Sequence, residues 1–107
     1  MRRPVVLLLL WLLAAVPPAA AQNDLADVQV QMAEARRHFD ALEYEQAVPA
    51  LDRTIAILST RRRDDTVKIL SDAYEMRARA RFGLGDQNGA RDDLVALLRV
   101  EIGRAHV

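Results

Sequence analysis

A chain of 107 residues holds one small domain at most, and its 15 basic and 15 acidic residues cancel. That balance removes the electrostatic drive toward nucleic acid or an anionic membrane. No cysteine is present, which excludes disulfides, thiolate metal sites and the lipid anchor of a lipoprotein. In chain order, Arg2 and Arg3 give a positive start, and Val5 to Val16 form a twelve-residue apolar run. Pro17 and Pro18 are expected to break any helix, and Ala19, Ala20 and Ala21 supply small residues ahead of Gln22. This order predicts a secretory signal peptide over residues 1–21, cleaved after Ala21. The rival, a membrane anchor, would need about 20 apolar residues. Pro4 directly follows the arginine pair, which favours ordinary Sec export over the twin-arginine route. With Arg2 and Arg3 removed, 13 basic residues stand against 15 acidic ones. A single lysine against 14 arginines reads as the coding bias of a GC-rich bacterial genome.

From residue 22 to 100 the pattern predicts an all-α domain. Leu25, Val28, Met32, Ala35, Phe39 and Leu42 recur by threes and fours, the spacing of one helical face, with Asp24 as a candidate cap. Tyr44, Ala47, Val48, Leu51, Ile55 and Leu58 form a second face after a very short join, which forces the two helices antiparallel. Pro49 falls early in that helix and is one turn too deep if it begins at Tyr44, so a kink is expected. Ser59 to Thr66 reads as a solvated loop, with Arg61, Arg62 and Arg63 favouring one helix end and Asp64 and Asp65 the next helix start. A third helix is expected from about Thr66 to Leu84, through Val67, Leu70, Tyr74, Ala78 and Phe82. Gly85 and Asp86 end it, and a fourth helix from near Gln87 uses Ala90, Leu94, Leu97 and Leu98.

The two halves match at an offset of 43 residues. Ala35, Arg36, Phe39, Ala47 and Leu51 are identical to Ala78, Arg79, Phe82, Ala90 and Leu94, Glu43 pairs with Asp86, and Ile55 with Leu98. Such self-similarity marks stacked helical pairs. The stretches Ala35 to Ala47 with Leu51, and Ala78 to Ala90 with Leu94, resemble the tetratricopeptide repeat: a small residue, an aromatic, a tight turn, then an alanine opening the second helix. The resemblance covers about three quarters of the chain. The offset exceeds the usual 34 residues, and the closing prolines are missing. The resemblance implies a fold of two antiparallel helical hairpins, repeats at about 24–59 and 66–100, with Phe39 and Phe82 packed at equivalent places and Gly85 easing a turn that Leu42 makes with a side chain. It also implies a scaffold that binds another protein or peptide.

Residues 101–107 resemble the translation of a common sequencing adapter, and are expected to be an artefactual tail of a longer native protein. The fourth helix is accordingly expected to stop after Val100, with an uncovered apolar edge open to self-association.

Nothing in the sequence composes an active site, and no cofactor or metal is expected. His38 reads as a boundary residue, His106 lies in the tail, and carboxylates such as Asp92, Asp93, Glu43 and Glu45 read as solvated faces. The resemblance places candidate partner-binding residues on the first helix of each repeat: Met32, Arg36, Phe39 and Asp40, then Glu75, Arg79 and Phe82. Arg36 and Arg79 share a register and could receive a carboxylate. The favoured alternative pairs them with Asp40 and Glu75, four residues away on their own helices. The chain thus reads as a periplasmic or secreted adaptor, not an enzyme, with no membrane insertion after cleavage. Two alternatives stand beside it: the N-terminal scaffold of a longer envelope protein, and a small structural homo-oligomer.

Overall fold

The computed structural model of the chain describes residues 17–60 and 64–105, nearly all of them helical. The architecture is all-α, with four described helices: α1 (Pro17–Asp40), α2 (Tyr44–Ser59), α3 (Asp64–Gly83) and α4 (Gln87–Ala105). The expected positive start and apolar run lie outside the described residues, as do Arg61, Arg62, Arg63, His106 and Val107.

Helix limits differ from the sequence reading at three places, the first being α3, which begins at Asp64, so Asp64 and Asp65 belong to the helix and not to the expected loop. Pro17 and Pro18 open α1 instead of breaking it, since a first-turn residue has no carbonyl to donate to and a fixed φ suits the helix start. Asp24 consequently lies inside α1 and is not its cap. At the other end α4 continues past Val100 through Glu101 to Ala105, a stretch in which Gly103 is the one weak helix former. Pro49 sits within α2, which nonetheless runs unbroken from Tyr44 to Ser59. Its ring lies on the exposed side, where water can reach the Glu45 carbonyl that loses its donor.

The turns repeat with the sequence. After α1, the amide of Glu43 donates to the His38 carbonyl at 2.8 Å and that of Leu42 to the Phe39 carbonyl at 3.0 Å. After α3, Asp86 donates to Arg81 at 2.8 Å and Gly85 to Phe82 at 3.0 Å. Each is a Schellman closure, which needs one residue in the left-handed region. Leu42 occupies it with φ 60° and Gly85 with φ 83°.

Side-chain contacts fix the directions. Arg53 Nε donates to Gln31 Oε1 at 3.0 Å, tying α2 back along α1. Arg81 reaches the Gly89 carbonyl at 3.5 Å while Arg77, one turn earlier, meets Asp93, one turn later, so α3 and α4 are antiparallel. Arg77 also meets Asp52 and Gly83 lies against the Tyr44 ring, so α2 and α3 are antiparallel too. A Cβ at Gly83 would stand 2.5 Å from that ring, and only glycine allows the approach. The shared core is Val28, Met32 and Ala35 of α1, Ala50, Leu51, Ile55 and Leu58 of α2, Leu70 and Ala73 of α3, and Val100 of α4.

Candidate functional site

The first helices of the two hairpins, α1 and α3, border an open groove of about 320 Å³. α1 contributes Arg36, Phe39 and Asp40; α3 contributes Asp72, Glu75, Met76 and Arg79. Helical spacing brings these together: on α1 the three residues span about one turn, and on α3 positions 72, 75, 76 and 79 share a face. Phe39 and Met76 are half-buried and give the groove its apolar surface, while Arg36, Asp40, Glu75 and Arg79 stand exposed around it.

Of the seven residues expected to form a binding surface, five line this groove. Met32 does not reach it, being buried in the core. Phe82 does not line it either, and the residue is 66% exposed. The expectation that Phe82 packs as Phe39 does is therefore corrected. Phe39 lies 5.5 Å from the Tyr44 ring, centroid to centroid, and Tyr44 is in turn held against Gly83 of the second hairpin. At the same offset, Tyr44 is replaced by Gln87. Among the described residues Phe82 thus has no aromatic neighbour of that kind.

The charges around the groove are distributed unevenly. Arg79 bonds Glu75 at 2.8 Å, the pairing along one helix expected from their spacing. Lys68 and Asp72 pair at 3.5 Å. Arg36 and Asp40 do not pair with each other, and among the described residues neither side chain has a hydrogen bond or ion pair. Nor does any ion pair among the described residues cross from α1 to α3. His38, directly before Phe39 on α1, is 3.9 Å from Glu34 and 3.4 Å from Glu43. It is a boundary residue near the turn, as its sequence position suggested. Among the described residues no cluster of three histidine, aspartate or glutamate side chains is arranged to hold a metal ion.

A second polar constellation was not apparent from the sequence. Asp93, grouped there with solvated carboxylates, is 1% exposed. Two arginines of α3 surround it: Arg77 through Nε at 3.1 Å and Nη2 at 2.6 Å, and Arg81 through Nη1 at 3.1 Å. Arg77 extends the chain of charges to Asp52 of α2 at 2.8 Å and lies 5.7 Å from the Tyr74 ring centroid. Burial alone would lower the Arg77 pKa. The hydrogen bonds and charges of Asp93 and Asp52 outweigh it and raise the pKa above its ordinary value, so the guanidinium stays charged. This cluster ties α2, α3 and α4 together, and none of its members lines the groove between α1 and α3. One signal in the sequence points to it: at the offset of 43, Asp93 takes the place of the core residue Ala50. A carboxylate at a core position requires cations, and Arg77 and Arg81 are spaced to supply them from one helix face.

Comparison of the chain with protein-family models, with curated proteins and with solved structures returns no match.

Proposed function

We propose that the protein is an exported binding scaffold that holds a segment of another protein in the groove between α1 and α3. The observation that carries this reading is the groove itself, where an apolar surface from Phe39 and Met76 is bordered by charged side chains on both helices. Peptide sites commonly combine an apolar anchor with a few polar groups that fix orientation. The likeness to tetratricopeptide repeats supports it further, since the two hairpins share their turn closure at the repeat offset. The signal-like order of residues 2–21 supports delivery to the periplasm or exterior. No helix among the described residues is long and apolar enough to cross a membrane.

Export is tested by expressing the full chain in a bacterial host and weighing the product, which is expected to begin at Gln22. Binding is tested on that exported product by titrating short leucine-containing peptides against its amide spectrum. Shifts should concentrate at Arg36, Phe39, Met76 and Arg79. Shifts confined to α4, or none at saturating peptide, would refute the reading.

That contrast matters because a second reading has its own observation. Leu94, Val95, Leu98 and Ile102 form an exposed apolar stripe along α4, between 42% and 61% accessible. Such a stripe suits a structural homo-oligomer. Light scattering of the exported chain separates the two: a monomer leaves the groove reading, whereas a concentration-dependent oligomer lost in Leu98→Lys supports the second.

A further inference from the structure

We infer that two copies of the chain pair through α4, face to face across a twofold axis near Leu98, and do not stack head to tail. This rests on the homo-oligomer reading above and adds the symmetry of the contact.

The two ends of the molecule present different surfaces. Leu51 and Ile55 of α2 are buried beneath the second hairpin, while Leu94 and Leu98, at the same register of α4, are exposed with Val95 and Ile102 beside them. The opposite end is α1. On α3, Leu70, Ala73 and Ala80 are buried on one helical face, and Arg77 of that face meets Asp52 of α2. At the same register of α1 stand Asp27, Val30 and Arg37, all exposed. So α1 carries the polar outer face that a terminal helix of a stack needs, and α4 carries an apolar one.

Head-to-tail stacking would lay α1 of one copy on α4 of the next, as α3 lies on α2. It would press Asp27 and Arg37 towards the apolar stripe, at the cost of desolvating both charges, and it would grow without closing unless its rotation made a ring. Face-to-face pairing sets apolar side chains against apolar side chains and closes at two copies. The four stripe side chains expose on the order of 300 Å² per copy, the size of a functional patch on a monomer. Even with its polar rim such a contact falls below about 1,200 Å² in total, the range of weak, reversible association. None of the groove residues lies on α4, so each copy of the pair keeps its groove.

The test uses the chain purified from the bacterial host, whose lack of cysteine lets single positions be marked. In sedimentation equilibrium from about 10 µM to 1 mM, the range of a weak pair, the mass should rise towards twice that of one chain and no further. Leu98→Lys should stay monomeric and Val30→Lys should behave as the parent, each after its helical spectrum is checked. Leu98 and Val30 are both 61% exposed, which makes them matched probes. Under mild oxidation Leu98→Cys should form a disulfide-linked dimer several-fold faster than Val30→Cys, because a residue at a twofold axis meets its own copy. Faster linkage between Leu98→Cys and Val30→Cys chains than within either, or a mass that climbs past two copies and is lowered by Val30→Lys, would show head-to-tail stacking. The face-to-face pairing would then fall and the homo-oligomer reading would stand. A chain that is monomeric throughout the range would overturn both and leave the stripe to a different partner.

Discussion

The two hairpins share a backbone plan and differ in what fills it. In the first, Ala50 is buried on α2, and the α1 residues at the places of Arg77 and Arg81 are Glu34 and His38, which lie beside each other. In the second, Asp93 replaces Ala50 and is enclosed by Arg77 and Arg81. One hairpin is packed through small apolar contact at this point and the other through a partly buried ionic cluster. The same contrast runs along their outer faces. Leu51 and Ile55 are 0% and 7% exposed beneath the second hairpin, whereas their counterparts Leu94 and Leu98 are 48% and 61% exposed. Equivalent positions of the repeat thus have different energetic roles because the first hairpin has a neighbour on that side and the second has none among the described residues.

The comparison breaks most sharply at Asp93. Asp93→Ala makes the second hairpin match the first at this position but removes the shared acid between two arginines, leaving Arg77 with Asp52 at 2.8 Å and Arg81 with the more distant Asp86 at 4.0 Å. Removing one member of such a cluster strands the others, and a loss of about 3 kcal/mol is expected in chemical denaturation. If the ionic cluster merely substitutes for apolar packing, the triple change Asp93→Ala, Arg77→Met and Arg81→Met should recover most of that loss. A single Asp93→Ala variant as stable as the parent would mean that the cluster does not hold α3 to α4.

A smaller contrast is expected between the two phenylalanines. Full burial would make Phe→Ala cost about 3–5 kcal/mol at either place. Phe39 is half-buried against Tyr44, so Phe39→Ala should cost about 2 kcal/mol. Phe82 is 66% exposed, and Phe82→Ala should stay within about 0.5 kcal/mol. Equal losses in thermal melting would show that Phe82 is covered in solution, by a second copy or another partner.

These contrasts also mark what the sequence could disclose. Helical period placed Val28, Met32, Ala35, Leu51, Ile55, Leu58 and Leu70 in the core, and the offset of 43 located both turns, because period and turn chemistry are local. Five groove residues were reachable through the repeat register. Phe82 was misplaced because burial depends on a neighbouring element, and a repeat pattern says nothing about whether that neighbour exists. The Asp93 cluster went unseen because its members lie 12 and 16 positions apart on different helices. Met76 and Asp72 complete the groove, yet their first-hairpin counterparts Ala33 and Gln29 drew no attention to those positions.

The smallest effect concerns the turns, where hydrogen bonding is the same and only the residue differs. Leu42 is held at φ 60°, a region that costs an L-residue with a side chain about 1–2 kcal/mol. Its side chain is 71% exposed, so little packing compensates. Glycine occupies that region freely but also gains freedom in the unfolded chain, which takes back part of the benefit. Leu42→Gly should therefore stabilise by about 0.5 kcal/mol. The reverse experiment is Gly85→Ala: a Cβ there meets nothing within 4 Å, so any loss is conformational, and about 1 kcal/mol is expected. Both are read as shifts in the denaturation midpoint at constant slope. A destabilised Leu42→Gly would show that Leu42 gains contacts in solution that outweigh its strain, and the first turn would then be something more than a copy of the second.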